Sequence, residues 1–179
     1  MLFVDIRGFT SMAEQQSPAD VAVQLNRFYQ LASDAIFRHD GTLDKLVGDQ
    51  VMAFFGAPIQ RENHARRAVE TALEIVREVM ETGSETSLRV GAGISTGEAF
   101  VGNVGGKDVT DYTVLGDTVN VAARLQGEAA PGEILLAQET YREVETEFPD
   151  APRRELALKG KADSVLARVI VGNPAKRIS

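Results

Sequence analysis

The chain contains no cysteine and only two histidines among its 179 residues. Disulfides and thiolate metal sites are therefore excluded, and a reducing compartment, with a cytoplasmic catalytic domain, is compatible with the composition. His39 and His64 lie well apart in sequence and are read as structural. Long apolar runs are also missing. The longest, Val51–Ile59, contains Gly56 and Pro58 and is far too short to cross a bilayer. No basic segment precedes the opening apolar residues, so no signal peptide is expected, and the chain reads as a module cut from a longer protein. Positive charge is in deficit: 26 acidic residues stand against 19 Lys and Arg, a formal charge of −7. That argues against a nucleic-acid or anionic-membrane binder, while a local basic pocket stays open. Repeats, low-complexity tracts and interdomain linkers are absent too. One domain over residues 1–172, with a short flexible tail at 173–179, is the expected organisation.

What is present is a well-punctuated alternation of strands and helices. Leu2–Ile6 reads as a buried strand interrupted by Asp5, and residues 7–10 as a turn. Ser17-Pro18 starts a helix, with Val21, Leu25, Phe28, Ala32 and Ile36 at helical spacing up to about Arg38. Thr42–Val47 and Gln50–Phe55 form a hairpin joined at Gly48-Asp49. A second helix carries Ala65, Ala68, Val69, Ala72, Leu73, Val76 and Met80 and closes near Gly83. Strands follow at Leu88–Ile94, Glu98–Val104 and Thr110–Leu115, then a helix at 117–127 and a strand at Glu133–Ala137. A short helix at Gln138–Glu147 and closing strands at Glu155–Leu158 and Val165–Val171 complete the chain. This order is an α+β fold, a ferredoxin-like split βαβ core (βαββαβ) with a C-terminal extension. The sheet is mainly antiparallel, with helices on one face.

Some residues fit that scaffold poorly and are candidates for chemistry. Asn120 and Arg124 sit four apart, so a helix projects both from one face as a donor-rich patch suited to phosphate or a developing oxyanion. A plain solvated face is the other reading. Asp5, a carboxylate inside an apolar strand, is costly unless paired or metal-bound. Asp49 lies at the hairpin tip, beside which the first strand commonly runs. Together the two could hold Mg²⁺ or Mn²⁺ through hard oxygens, or Asp5 could simply pair with Arg7. The turn Gly8-Phe9-Thr10 offers backbone N–H groups ahead of a helix that could cradle phosphate.

Five segments together then resemble one family: FVDIRGFTSM at 3–12, KLVGDQVMAFFG at 45–56, LRVGAGISTG at 88–97, YTVLGDTVNVAARL at 112–125 and LKGK at 158–161. In this order they resemble a class III nucleotide cyclase catalytic domain, over nearly the whole chain. The resemblance implies that Asp5 and Asp49, with the Ile6 carbonyl, bind two divalent ions, Mg²⁺ or Mn²⁺, with Ca²⁺ an option for one of them. It implies that Lys45 selects adenine, a position usually held by glutamate in guanylyl cyclases. Thr113 falls where many animal adenylyl cyclases place an aspartate, a departure resembling a bacterial subgroup with Thr or Ser there. Asn120 and Arg124 match the pair that positions ribose and meets charge at the α-phosphate. Arg89 and Lys159 match cationic contacts to the terminal phosphates.

The resemblance implies that ATP is converted to 3′,5′-cyclic AMP and pyrophosphate at sites shared between two chains, one supplying Asp5, Asp49 and Arg89 and the other Lys45, Thr113, Asn120, Arg124 and Lys159. Because one chain carries both sets of residues, a homodimer with two equivalent sites is expected, with Gly102–Asp111 in a contacting arm and regulatory domains elsewhere on the full-length chain. The alternatives are a guanylyl cyclase, a catalytically idle nucleotide-binding or dimerisation module, and a metal-dependent polymerase-like or diguanylate cyclase domain.

Overall fold

Alternation along the first strand resolves the misplaced carboxylate. In β1 (Leu2–Ile6), Leu2, Val4 and Ile6 enter the main core, which leaves Asp5 to the other side of the sheet. The structure is a computed structural model describing residues 1–81, 88–106, 108, 110–157 and 164–172. The expected tail, the helix end at Gly83, Lys159 and the LKGK segment lie outside the described residues.

β1 pairs antiparallel with β3 (Gln50–Phe54) and with β4 (Val90–Ile94). Outward from these lie β2 (Thr42–Val47) on one side and β7 (Glu133–Ala137), β9 (Val165–Val171) and β8 (Arg153–Leu156) on the other. The seven-stranded order is β2-β3-β1-β4-β7-β9-β8, with β4–β7 the parallel pair in an otherwise antiparallel sheet. β5 (Phe100–Gly105) and β6 (Thr110–Leu115) form a separate two-stranded hairpin.

α2 (Pro18–Arg38) starts where Ser17 Oγ accepts the Asp20 N–H at 3.2 Å, with proline in the first turn. α2 and α3 (His64–Glu81) cover one face, packing Phe28, Ile36, Val69, Ile75 and Val76 against Val4, Val51, Ala92 and Ile134. The α3 stripe ends on buried Val79, whereas Met80 is exposed.

The expectation of helices on one face is corrected. α4 (Asp117–Glu128) lies on the opposite face, setting Val121 and Leu125 against Leu135, Leu156 and Val169. Glycine permits this. Gly91 and Gly93 alternate with Val90, Ala92 and Ile94, which point into the main core. A Cβ on Gly93 would collide with the Ala122 carbonyl and the Gln126 N–H and lie 2.8 Å from Gln126 Cα. The helix backbone therefore rests directly on the strand.

Three local readings also change. α1 (Phe9–Gln15) follows Gly8, whose φ of 75° turns the chain, where only a turn was expected. It buries none of its residues, so it leaves no apolar period in the sequence. α5 covers Gln138–Arg142, and the chain then tightens through bonds three residues apart, from Glu143 N–H to Thr140 and from Val144 N–H to Tyr141. β8 begins at Arg153 rather than Glu155, and β4 at Val90 rather than Leu88.

Candidate active site

The two expected metal carboxylates meet at one end of the central strands. The Ile6 N–H donates to the Asp49 carbonyl at 3.2 Å, and the Arg7 N–H to the Arg89 carbonyl at 2.7 Å. These backbone bonds bring Asp5, Asp49 and Arg89 to a common edge. Gly48, at φ 60°, makes the hairpin turn that holds Asp49, and the Tyr29 hydroxyl from α2 donates to the Gly48 carbonyl. Burial pushes the Asp49 carboxyl above its ordinary value, and the nearby Asp5 charge raises it further, partly offset by a backbone hydrogen bond and Arg7.

Asp5 accepts a hydrogen bond from Arg7 at 2.5 Å, so the simpler of the two sequence readings is present. It leaves the second carboxylate oxygen available. Arg7 also donates to the Ala129 carbonyl beyond α4 at 3.3 Å, while its Nε is buried without a partner. The donor set fits a hard divalent cation: two neighbouring carboxylates, of which Asp49 is held above its usual value first by burial and then by the Asp5 charge. Among the described residues no group of three or more His, Cys, Asp and Glu side chains is placed to hold a metal ion. A cation here would need oxygens from a phosphate-bearing ligand, the habit of Mg²⁺.

The second group forms around Lys45. Its Nζ lies 2.9 Å from Thr113 Oγ1, 2.6 Å from Asp111 Oδ2 and 3.4 Å from Asp44 Oδ1. Asp111 contributes most to raising the lysine pKa, so the ammonium form is favoured. The Thr113 hydroxyl donates to Asp44 Oδ2 at 3.0 Å. A bulge explains how neighbours on one strand both reach Thr113. Leu43 pairs with Ala53, but Lys45 pairs with Met52, so Asp44 is an extra residue. Leu43 packs on the core while Asp44 and Lys45 both turn to Thr113 on β6. Sequence reasoning joined Lys45 to Thr113 but missed Asp44 and Asp111. Thr42–Val47 reads as an unbroken strand, and nothing local marks the bulge.

α4 carries Asn120 and Arg124 one turn apart, Asn120 exposed and Arg124 half-buried. The helix is fixed by its glycine seat and by Gln50 Nε2, which donates to Gln126 Oε1 at 3.0 Å. Arg89 is exposed. Gly8, Phe9 and Thr10 open α1, which has no side-chain cap on its first N–H groups. A cavity of about 250 Å³ lies at the far end of β1, lined by Met1, Phe54, His64, Thr96 and Thr118 among others, and holds none of the expected site residues.

The structure thus holds two carboxylates at strand ends and a lysine–threonine pair at β2 and β6, on a fold shared with solved nucleotide cyclase domains. The family described as the adenylate and guanylate cyclase catalytic domain matches residues 1–171. The chain belongs to this class III family. It is 39% identical over 132 residues to "Adenylate cyclase 1" of Rhizobium meliloti (strain 1021), which is 70% of this chain and 20% of that protein. It is similar to a crystal structure of a guanylyl cyclase (TM-score 0.86, 32% identity, 97% of this chain and 92% of that one). It is also similar to the adenylyl cyclase CyaB from P. aeruginosa (TM-score 0.83, 33% identity, 94% and 91%). The chain spans about a fifth to a quarter of the length of the curated relatives it matches. Among the described residues no helix is long and apolar enough to cross a membrane.

Proposed function

We propose that this domain is an adenylyl cyclase, converting ATP to 3′,5′-cyclic AMP and pyrophosphate at sites shared by two copies of the chain. The observation that carries the choice of ATP is the pairing of Lys45 with Thr113 at 2.9 Å. Lys45 offers N–H protons to a purine ring nitrogen, and Thr113 offers oxygen to an exocyclic amino group. The ribose 3′-hydroxyl attacks the α-phosphorus in line, and the bond to the bridging oxygen of pyrophosphate breaks. Arg124 meets charge growing on the α-phosphate while Asn120 orients the ribose, work of positioning and electrostatics. Arg89 and Lys159 contact the terminal phosphates, and the N–H groups of Gly8, Phe9 and Thr10 face the same chain of phosphates. Asp5, Asp49 and the Ile6 carbonyl would hold Mg²⁺ or Mn²⁺, which would acidify the attacking hydroxyl and offset the triphosphate charge.

The homodimer reading is supported by the β5–β6 hairpin, which exposes Phe100, Tyr112 and Leu115 outside the main sheet. The much greater length of the curated relatives supports regulatory segments on the same full-length protein. The guanylyl alternative draws on the similarity to a guanylyl cyclase structure. Product formation from ATP and from GTP, with Mg²⁺ or Mn²⁺, separates the two readings. Cyclic AMP, lost in Asp49→Ala, is expected; cyclic GMP as the main product refutes the choice of base. Asp5→Ala and Arg124→Ala are each expected to be inactive alone and to recover activity on mixing. A dead mixture containing demonstrated heterodimers refutes the shared site.

A further inference from the structure

The geometry points to Asp44 as a specificity-determining residue: its carboxylate accepts the hydrogen bond of the Thr113 hydroxyl, so that Thr113 meets the base as an acceptor. This rests on the adenylyl cyclase reading above. A threonine hydroxyl has one proton and two lone pairs. Here the proton goes to Asp44 Oδ2 at 3.0 Å, and one lone pair receives Lys45 Nζ at 2.9 Å. One lone pair remains.

Adenine presents a donating exocyclic amino group at the edge where guanine presents an accepting carbonyl oxygen. A lone pair held in place bonds the first and repels the second. A hydroxyl free to rotate would serve either base, because it would donate to the carbonyl as readily as it accepts from the amine. Asp44 removes that freedom.

Its own situation fits the task. The Asp44 side chain is fully buried (0% exposed), whereas that of Asp111, the other carboxylate on Lys45, is 54% exposed. Water therefore does not compete for the Thr113 proton at Asp44. Burying a carboxylate is costly unless it is hydrogen-bonded, and the partners of this one are Lys45 and Thr113. The bulge that turns Asp44 and Lys45 to the same face builds the triad into the backbone of β2.

The test compares kcat and KM for ATP and GTP in the wild type, Asp44→Ala, Thr113→Val and the double variant, with a thermal melt for each. In the wild type ATP is expected to win. Asp44→Ala should lower the ATP-over-GTP ratio of kcat/KM by about tenfold, as loss of one discriminating hydrogen bond does. The double variant should match Thr113→Val, because both changes disable one device. Asp44→Val keeps bulk and removes both oxygens, and gives the same comparison if the alanine variant unfolds. An unchanged ratio, with both nucleotides turned over more slowly in step with the melting temperature, overturns the inference. So does an effect of Asp44→Ala that adds fully to that of Thr113→Val. A wild type that prefers GTP fails earlier, at the adenylyl cyclase reading itself.

Discussion

Gly93→Ala should unseat α4. The new Cβ would collide with the Ala122 carbonyl and the Gln126 N–H and lie 2.8 Å from Gln126 Cα. Carbon atoms in ordinary contact are about 3.5–4.0 Å apart, so the helix must retreat by about 1 Å. The obstacles are helix backbone, which no rotamer change relieves, so the cost belongs at the upper end for overpacking, about 3 kcal/mol. For a domain of this size that lowers the melting temperature by about 6–12 °C. Because α4 carries Asn120 and Arg124, turnover well below the melting temperature should also fall, by about a hundredfold. Circular dichroism melts and nucleotide turnover read the two effects separately. Gly127→Ala is the control: it lies in the same helix, with nothing within 4 Å of its added Cβ, and should stabilise by about 0.5–1 kcal/mol. A Gly93→Ala protein that melts and turns over like the wild type would refute the backbone seat of α4 on β4.

Two further outcomes follow from the charged groups. Arg154 holds the Glu133 carboxyl below its ordinary 4.5, with burial opposing and the Ala130 N–H assisting. The folded value lies below the unfolded one, so the stabilisation is complete above 4.5 and is lost as pH falls through the depressed folded value. Glu133→Gln should cost about 1 kcal/mol at neutral pH, since Arg154 is partly solvated, and almost nothing well below the depressed value; urea unfolding at both pH values checks this. Asp49→Asn should weaken Mn²⁺ binding in the presence of an uncleavable ATP analogue by at least about tenfold, measured by titration calorimetry. Unchanged Mn²⁺ affinity would remove Asp49 from the metal site.

The sequence discloses most of this fold because its signals are local. The Ser17 cap, the α2 stripe, the α3 stripe as far as Val76, and the limits of β7 and β9 stand as expected. Asp5 is legible as an anomaly because an apolar strand makes any carboxylate conspicuous. What stays hidden depends on partners distant in the chain. The face taken by α4 is decided at Gly93, whose neighbour is a helix some thirty residues on. The bulge at Asp44 exists only against the register of β3, and Asp111 reaches Lys45 only because β6 folds back beside β2.

Lys45 has three N–H protons, and three oxygens engage them: Asp111, Thr113 and Asp44. Under the proposed reading a purine therefore reaches the lysine by exchange, and half-exposed Asp111 is the partner most cheaply returned to water. The number of hydrogen bonds at the ammonium stays constant through that swap. Base recognition then acts as a filter more than as a source of affinity. On that proposal, occupancy of the site would be governed by the triphosphate end of the nucleotide, and the base would decide which occupants are held in position to react.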